Sequence, residues 1–144
     1  MTKLRLLTLL IVAAHCIVAV GHLSFAARIL PAPNDKVSWL AIVLITTGHL
    51  CVSIALWTLN DKLAGWVTLL FFLAALGADL YEHFLQTAPN NIFMLTASDW
   101  TAWFDASVFG LLALEILACA LGILSLRSGT RNSQPRVDHR SVVT

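Results

Sequence analysis

Four long apolar stretches divide the chain, covering residues 6–27, 37–59, 63–85 and 100–126. Each holds about 22 to 27 residues, and about 20 helical residues cross a hydrocarbon core of about 30 Å. Short polar interruptions part them. Pro31-Ala32-Pro33-Asn34-Asp35-Lys36 follows the first, and Asn60-Asp61-Lys62 makes a tight turn after the second. Residues 86–99, with Pro89-Asn90-Asn91, separate the third from the fourth. Proline and asparagine clusters of this kind stop helices. Ser98 or Asp99 stands where an N-cap of the fourth helix is expected. The pattern predicts an all-α fold: an integral membrane four-helix antiparallel bundle over residues 1–127, with 128–144 as a disordered polar tail.

The first stretch has some features of a secretory leader. Lys3 and Arg5 form a basic start, and Ser24-Phe25-Ala26-Ala27 resembles a cleavage site. Its apolar run exceeds the usual ~7–15 residues, and it carries two histidines, His15 and His22. It reads as a retained first span.

Composition agrees with membrane residence. Hydrophobic residues make up 58% and charged residues 12%, where a soluble domain carries about 25% charged residues. A net charge of +1 gives no argument for nucleic-acid binding. The distribution of basic residues sets an orientation. Lys3, Arg5, Lys62, Arg127, Arg131, Arg136 and Arg140 share one side of a four-span chain, and only Arg28 and Lys36 take the other. Both termini are therefore expected in the cytoplasm, with the chain in a plasma membrane of the bacterial inner-membrane type. Trp39, Trp57, Trp66, Trp100 and Trp103 fall near span ends, as an aromatic belt requires. Cys16, Cys51 and Cys119 are an odd number within apolar runs, and no CxxC is present. They read as small hydrophobes.

Against this background eight ionisable residues lie inside the apolar stretches: His15, His22, His49, Asp79, Glu82, His83, Asp105 and Glu115. A lone charge at mid-membrane costs at least about 2.5–3.5 kcal/mol, so these side chains are expected to meet inside the bundle. Counting rise per residue from the predicted ends sorts them into two tiers. His15, His49 and Glu115 fall near the middle. His22, Asp79, Glu82, His83 and Asp105 fall nearer the external side. Asp79, Glu82 and His83 share a stripe of the third helix by their spacing. Small residues are expected to seat the third helix on the fourth: Gly65, Ala74, Ala75, Gly77 and Ala78 against Ala106, Gly110, Ala113, Ala118 and Gly122. Gly21-His22-Leu23 is echoed in Gly48-His49-Leu50. Each glycine would let a flat ligand approach the backbone, or would merely let helices pack.

Several chemistries suit this set. His22, Asp79, Glu82, His83 and Asp105 form a candidate metal site, since imidazole and carboxylate bind zinc, iron or copper. The chain lacks the paired Glu-x-x-His of di-iron bundles. Haem b is a second candidate, with His15 and His49, or His22 and His83, as axial pairs; in that reading His15, His49 and Glu115 are the cofactor-binding residues. A membrane enzyme is a third, with Asp79, Glu82, His83 and Asp105 doing acid–base work on a lipophilic small molecule. No GxSxG or other nucleophile signature accompanies them. Proton-coupled transport through Glu115 is a fourth, and an accessory subunit of a larger membrane complex a fifth. The lipid bilayer is the expected partner, with a homodimer or larger membrane complex as the assembly.

Overall fold

The computed structural model describes residues 2–30, 35–87 and 89–131. The Pro31-Ala32-Pro33-Asn34 break and residues 132–144 of the predicted tail lie outside the described residues, as do the side chains of Lys36 and Trp39. Within them the chain forms four α-helices: α1 Lys3–Ile29, α2 Asp35–Thr58, α3 Asp61–Leu80 and α4 Thr101–Arg131. A π-helical turn, Tyr81–Leu85, prolongs α3. No strand occurs among the described residues.

Local chemistry sets the ends. Thr2 caps α1 through its hydroxyl and the Arg5 amide, and Asn60 caps α3 by accepting from the Leu63 amide at 2.9 Å. At the start of α4, Thr101 is tied back to Ser98. Its hydroxyl accepts from the Ser98 amide at 3.0 Å, and its own amide donates to the Ser98 carbonyl at 3.2 Å. The fourth helix also outruns its apolar stretch and continues to Arg131. Polarity marks where burial in lipid would end, and the backbone ladder need not stop there.

Three helical stretches are long and apolar enough to cross a membrane: Lys3–Ile29, Asp61–Leu85 and Thr101–Ser128. The corresponding described stretch of α2 is Ile42–Thr58. Chain neighbours run in opposite directions. His15 and His22 of α1 reach Glu115 and Ser107 of α4, so numbering falls on one as it rises on the other. Arg5 with Leu56 and His15 with His49 show the same for α1 and α2, and Gly65 with Gly122 and Asp79 with Glu115 for α3 and α4. The broadest contact is α3 with α4, then α1 with α4. Val12, Val52, Leu56, Ala64, Phe72 and Ala118 form a common core below the histidines.

One end is fastened by Arg5. Its Nε meets Asp61 Oδ1 at 2.6 Å, and its two terminal nitrogens donate to the Leu56 and Leu59 carbonyls at 3.0 and 2.7 Å. The guanidinium thus caps the last carbonyls of α2, which lack helical partners, and ties α1 to the turn before α3.

Only part of the small-residue stripe does the packing expected of it. A Cβ on Gly65 would stand 2.9 Å from the Gly122 carbonyl oxygen, and one on Gly122 would stand 3.1 Å from that of Gly65. Ala118 is buried as well. Ala74, Gly77, Ala78, Ala106 and Ala113 face outward instead. Gly77 lies twelve positions from Gly65, which turns it about 120° round the helix.

Candidate functional site

The polar residues of the middle tier meet in one chain of hydrogen bonds. His15 projects from α1 and His49 from α2, and His15 Nδ1 lies 2.7 Å from His49 Nε2. On its other side His15 Nε2 lies 3.1 Å from Oε1 of Glu115, from α4. His49 Nδ1 donates to the Ile45 carbonyl one turn back, at 2.6 Å. All three side chains are buried, with 4%, 5% and 1% exposure. Phe72 stands edge-on to His15 at 5.2 Å, and Phe71 edge-on to His49 at 5.2 Å. The Phe71 ring fills the space that a side chain at Gly48 would take. The flat group beside Gly48 is therefore the protein's own.

The partners fix the direction of this chain. A carbonyl only accepts, so His49 Nδ1 carries a proton. A neutral His49 then accepts at Nε2, and His15 donates from Nδ1. At His15 Nε2 two arrangements remain. Either Glu115 donates as a carboxylic acid, or His15 is an imidazolium donating to a carboxylate. The two differ by the position of one proton along a single hydrogen bond.

Asp79, set by its depth in the outer tier, also reaches this group. Its carboxyl stands beside that of Glu115 and interacts electrostatically with His15 and His83. The cause is geometric. Side chains lean toward the N-terminus of their own helix. Asp79 therefore leans back along α3, and Glu115, on a helix running the other way, leans up to meet it. Two carboxylates have no hydrogen to share, so this contact requires a proton on one of them. Glu115 Oε2 has no hydrogen-bond partner among the described residues, and a proton between the two carboxyls would supply one.

The outer tier is a smaller cluster than the sequence suggests. The His22 and His83 rings lie 5.0 Å apart and nearly perpendicular, with Phe104 packed against both. Ser107 donates to the Phe104 carbonyl at 2.6 Å and lies 3.0 Å from His22 Nδ1. Its oxygen therefore accepts from His22. His83 Nδ1 donates to the Asn90 carbonyl at 3.0 Å. Glu82 leaves the cluster; it is exposed and contacts Asn90 at 3.4 Å. The π turn, closed by Gln86 N to Tyr81 O at 2.8 Å, carries fewer degrees per residue and shifts side chains out of α register. Asp105 is half-buried with Oδ1 unpartnered, and among the described residues it makes no hydrogen bond to the histidines.

The chain matches no family model, and no curated protein or solved structure matches it.

The geometry bears on the metal and haem readings. Among the described residues, no three His, Cys, Asp or Glu side chains are gathered as a metal ion needs. The expected set of His22, Asp79, Glu82, His83 and Asp105 is dispersed: two histidines pair, Asp79 joins Glu115, and Glu82 faces outward. Axial haem ligands aim one nitrogen each at an iron from opposite faces of the macrocycle. The facing nitrogens of His15 and His49 are instead hydrogen-bonded to each other. Sequence reasoning missed Ser107, whose hydroxyl orients His22. A serine in a helix commonly bonds its own backbone, so its type alone gave no signal. It also missed Asn90, whose contribution is a backbone carbonyl and is written in no side chain.

Proposed function

We propose that the protein is a four-span bundle of the plasma membrane, with both termini cytoplasmic, that takes up and passes on a proton at mid-membrane. The working group is Asp79–Glu115–His15–His49, and the class of function is proton-coupled transport. The observation that carries this reading is the continuous polarised chain from the two carboxyls through two imidazoles to the Ile45 carbonyl. Such a chain can hold an added proton at His15, Glu115 or Asp79 by small shifts along existing bonds. Its imidazole nitrogens face one another, a carboxyl or the Ile45 carbonyl, and none is directed at a lipophilic substrate. That favours proton exchange over catalysis.

Membrane residence is supported by the surface as well as by the spans. Leu10, Ile17, Leu44, Leu70, Phe109 and Ile116 are exposed along the helices, a coat that water would penalise and lipid would solvate. Cysteines introduced in a cysteine-free background test the orientation. Asn90→Cys should label from outside intact cells and Ser133→Cys should not; the reverse result would overturn it.

The proton itself is tested by infrared spectroscopy of the purified protein in detergent. A protonated-carboxyl C=O stretch should be present at neutral pH and should lose intensity in Glu115→Gln and in Asp79→Asn. A spectrum lacking that band from about pH 5 to 8, the range in which imidazole ordinarily titrates, would remove the reading.

A further inference from the structure

The outer histidines are arranged to feed this chain. His22 gives its Nδ1 proton to Ser107, and His83 gives its own to the Asn90 carbonyl. In both neutral rings Nε2 is left with a lone pair. Neither Nε2 has a hydrogen-bond partner among the described residues. Two acceptors without hydrogen-bond partners on rings 5.0 Å apart, with Phe104 packed against both, make a place where an added proton can settle on either ring. Below them stands Asp79, one turn before His83, interacting with His83 on one side and with Glu115 and His15 on the other. It thus interacts with both tiers.

We infer that His22 and His83 form the outer loading station of the proton chain, with Asp79 as the carrier that swings between the tiers. This rests on the proton reading of the middle tier. No hydrogen bond joins the tiers directly, so the transfer passes through movement of the Asp79 carboxyl or through one bridging water. A proton arriving at an Nε2 makes an imidazolium, and Asp79, as the carboxylate of its pair, takes it as the imidazolium returns to neutral; Glu115 passes the proton it already holds to His15 Nε2 and then accepts the one on Asp79. Charge and protons balance at each step, and no bond between heavy atoms changes. The loop after the π turn holds His83 in the receiving tautomer. The Ile92 amide donates to the His83 carbonyl at 3.1 Å, beside the ring's bond to Asn90. Asn91 braces that loop: its side-chain amide donates to the Gln86 carbonyl at 2.8 Å, and its oxygen accepts from the Phe93 amide at 2.9 Å. Asn91 is a positioning residue.

The test is the rate at which the protonated-carboxyl band shifts after rapid dilution of the detergent-solubilised protein into D2O. His83→Ala and His22→Gln should each slow the shift at least about tenfold, the low side of what a positioned proton donor contributes. Asn91→Ala should slow it less, and raising the concentration of added imidazole should restore the rate in His83→Ala. The equilibrium intensity of the band should stay as in the parent, because the middle tier is untouched. Parent-like rates in both histidine variants would overturn the loading station while leaving the band, and so the proton reading, in place. Absence of the band from the parent protein would overturn both. If His83→Ala does not fold, His22→Gln alone decides: a parent-like rate refutes the station and a slowed rate supports it.

Discussion

Glu115→Ala should lose about 3–5 kcal/mol of stability, and Glu115→Gln about 1 kcal/mol or less. Two costs add in the alanine variant. Removing a buried side chain of this size leaves a cavity worth about 2–5 kcal/mol. Interhelical hydrogen bonds inside membranes contribute only about 0.6 kcal/mol on average and about 1.7 at most, so the cavity dominates. Glutamine fills the same volume, and its amide can donate to His15 Nε2 as a protonated Glu115 would. The glutamine variant should therefore stay folded while being unable to hold the proton. Reversible unfolding of the purified variants in mixed micelles measures the first effect, and the infrared band reports the second. Equal destabilisation of the two variants would mean that Glu115 serves as a counter-charge to an imidazolium, which ends the case for a mobile proton at that position.

Gly65→Ala and Gly122→Ala should each lose about 1–3 kcal/mol, the usual cost of overpacking a tight contact. The added methyl at either site meets backbone of the facing helix, at 2.9 and 3.1 Å, so no side chain can turn aside to admit it. The double variant should lose less than the sum, because one methyl already parts the helices and the second enters space that is open. Gly77→Ala is the control. A Cβ there meets nothing within 4 Å, and alanine gains about 0.5–1 kcal/mol over glycine within a helix. Unfolding free energies check all four variants. A loss at Gly77 matching that at Gly65 would show that glycine matters here through the backbone and not through the α3–α4 contact.

The sequence carries much of this arrangement, and its omissions have physical reasons. Segment ends were legible because Asn60-Asp61 and Pro89-Asn90 punctuate long apolar runs. The proximity of His15, His49 and Glu115 follows from depth alone once helices alternate in direction. The reach of Asp79 to Glu115 was not legible because depth was counted at the backbone, whereas opposed helices lean their side chains toward each other. Glu82 was misplaced because α spacing was extended into Tyr81–Leu85, where the turn widens. Nothing in the residue types there announces a π turn. The hydrogen bonds that select each histidine tautomer come partly from Ile45 and Asn90 carbonyls, which every residue possesses.

The place of α4 in the packing sets an order of assembly. Translation delivers helices from the N-terminus onward, yet α1 finds its broadest surface on the last of them. Until Glu115 is made, His15 has only His49 to bond, and His22 lacks Ser107 altogether. Arg5 can clasp the α2–α3 turn earlier, since Leu56, Leu59 and Asp61 are synthesised well before α4. The nascent chain thus passes through a three-helix stage closed at the Arg5 end and open along the face that carries both α1 histidines. Arrival of the final helix seals that seam and brings Glu115 to His15 and Ser107 to His22 in a single event.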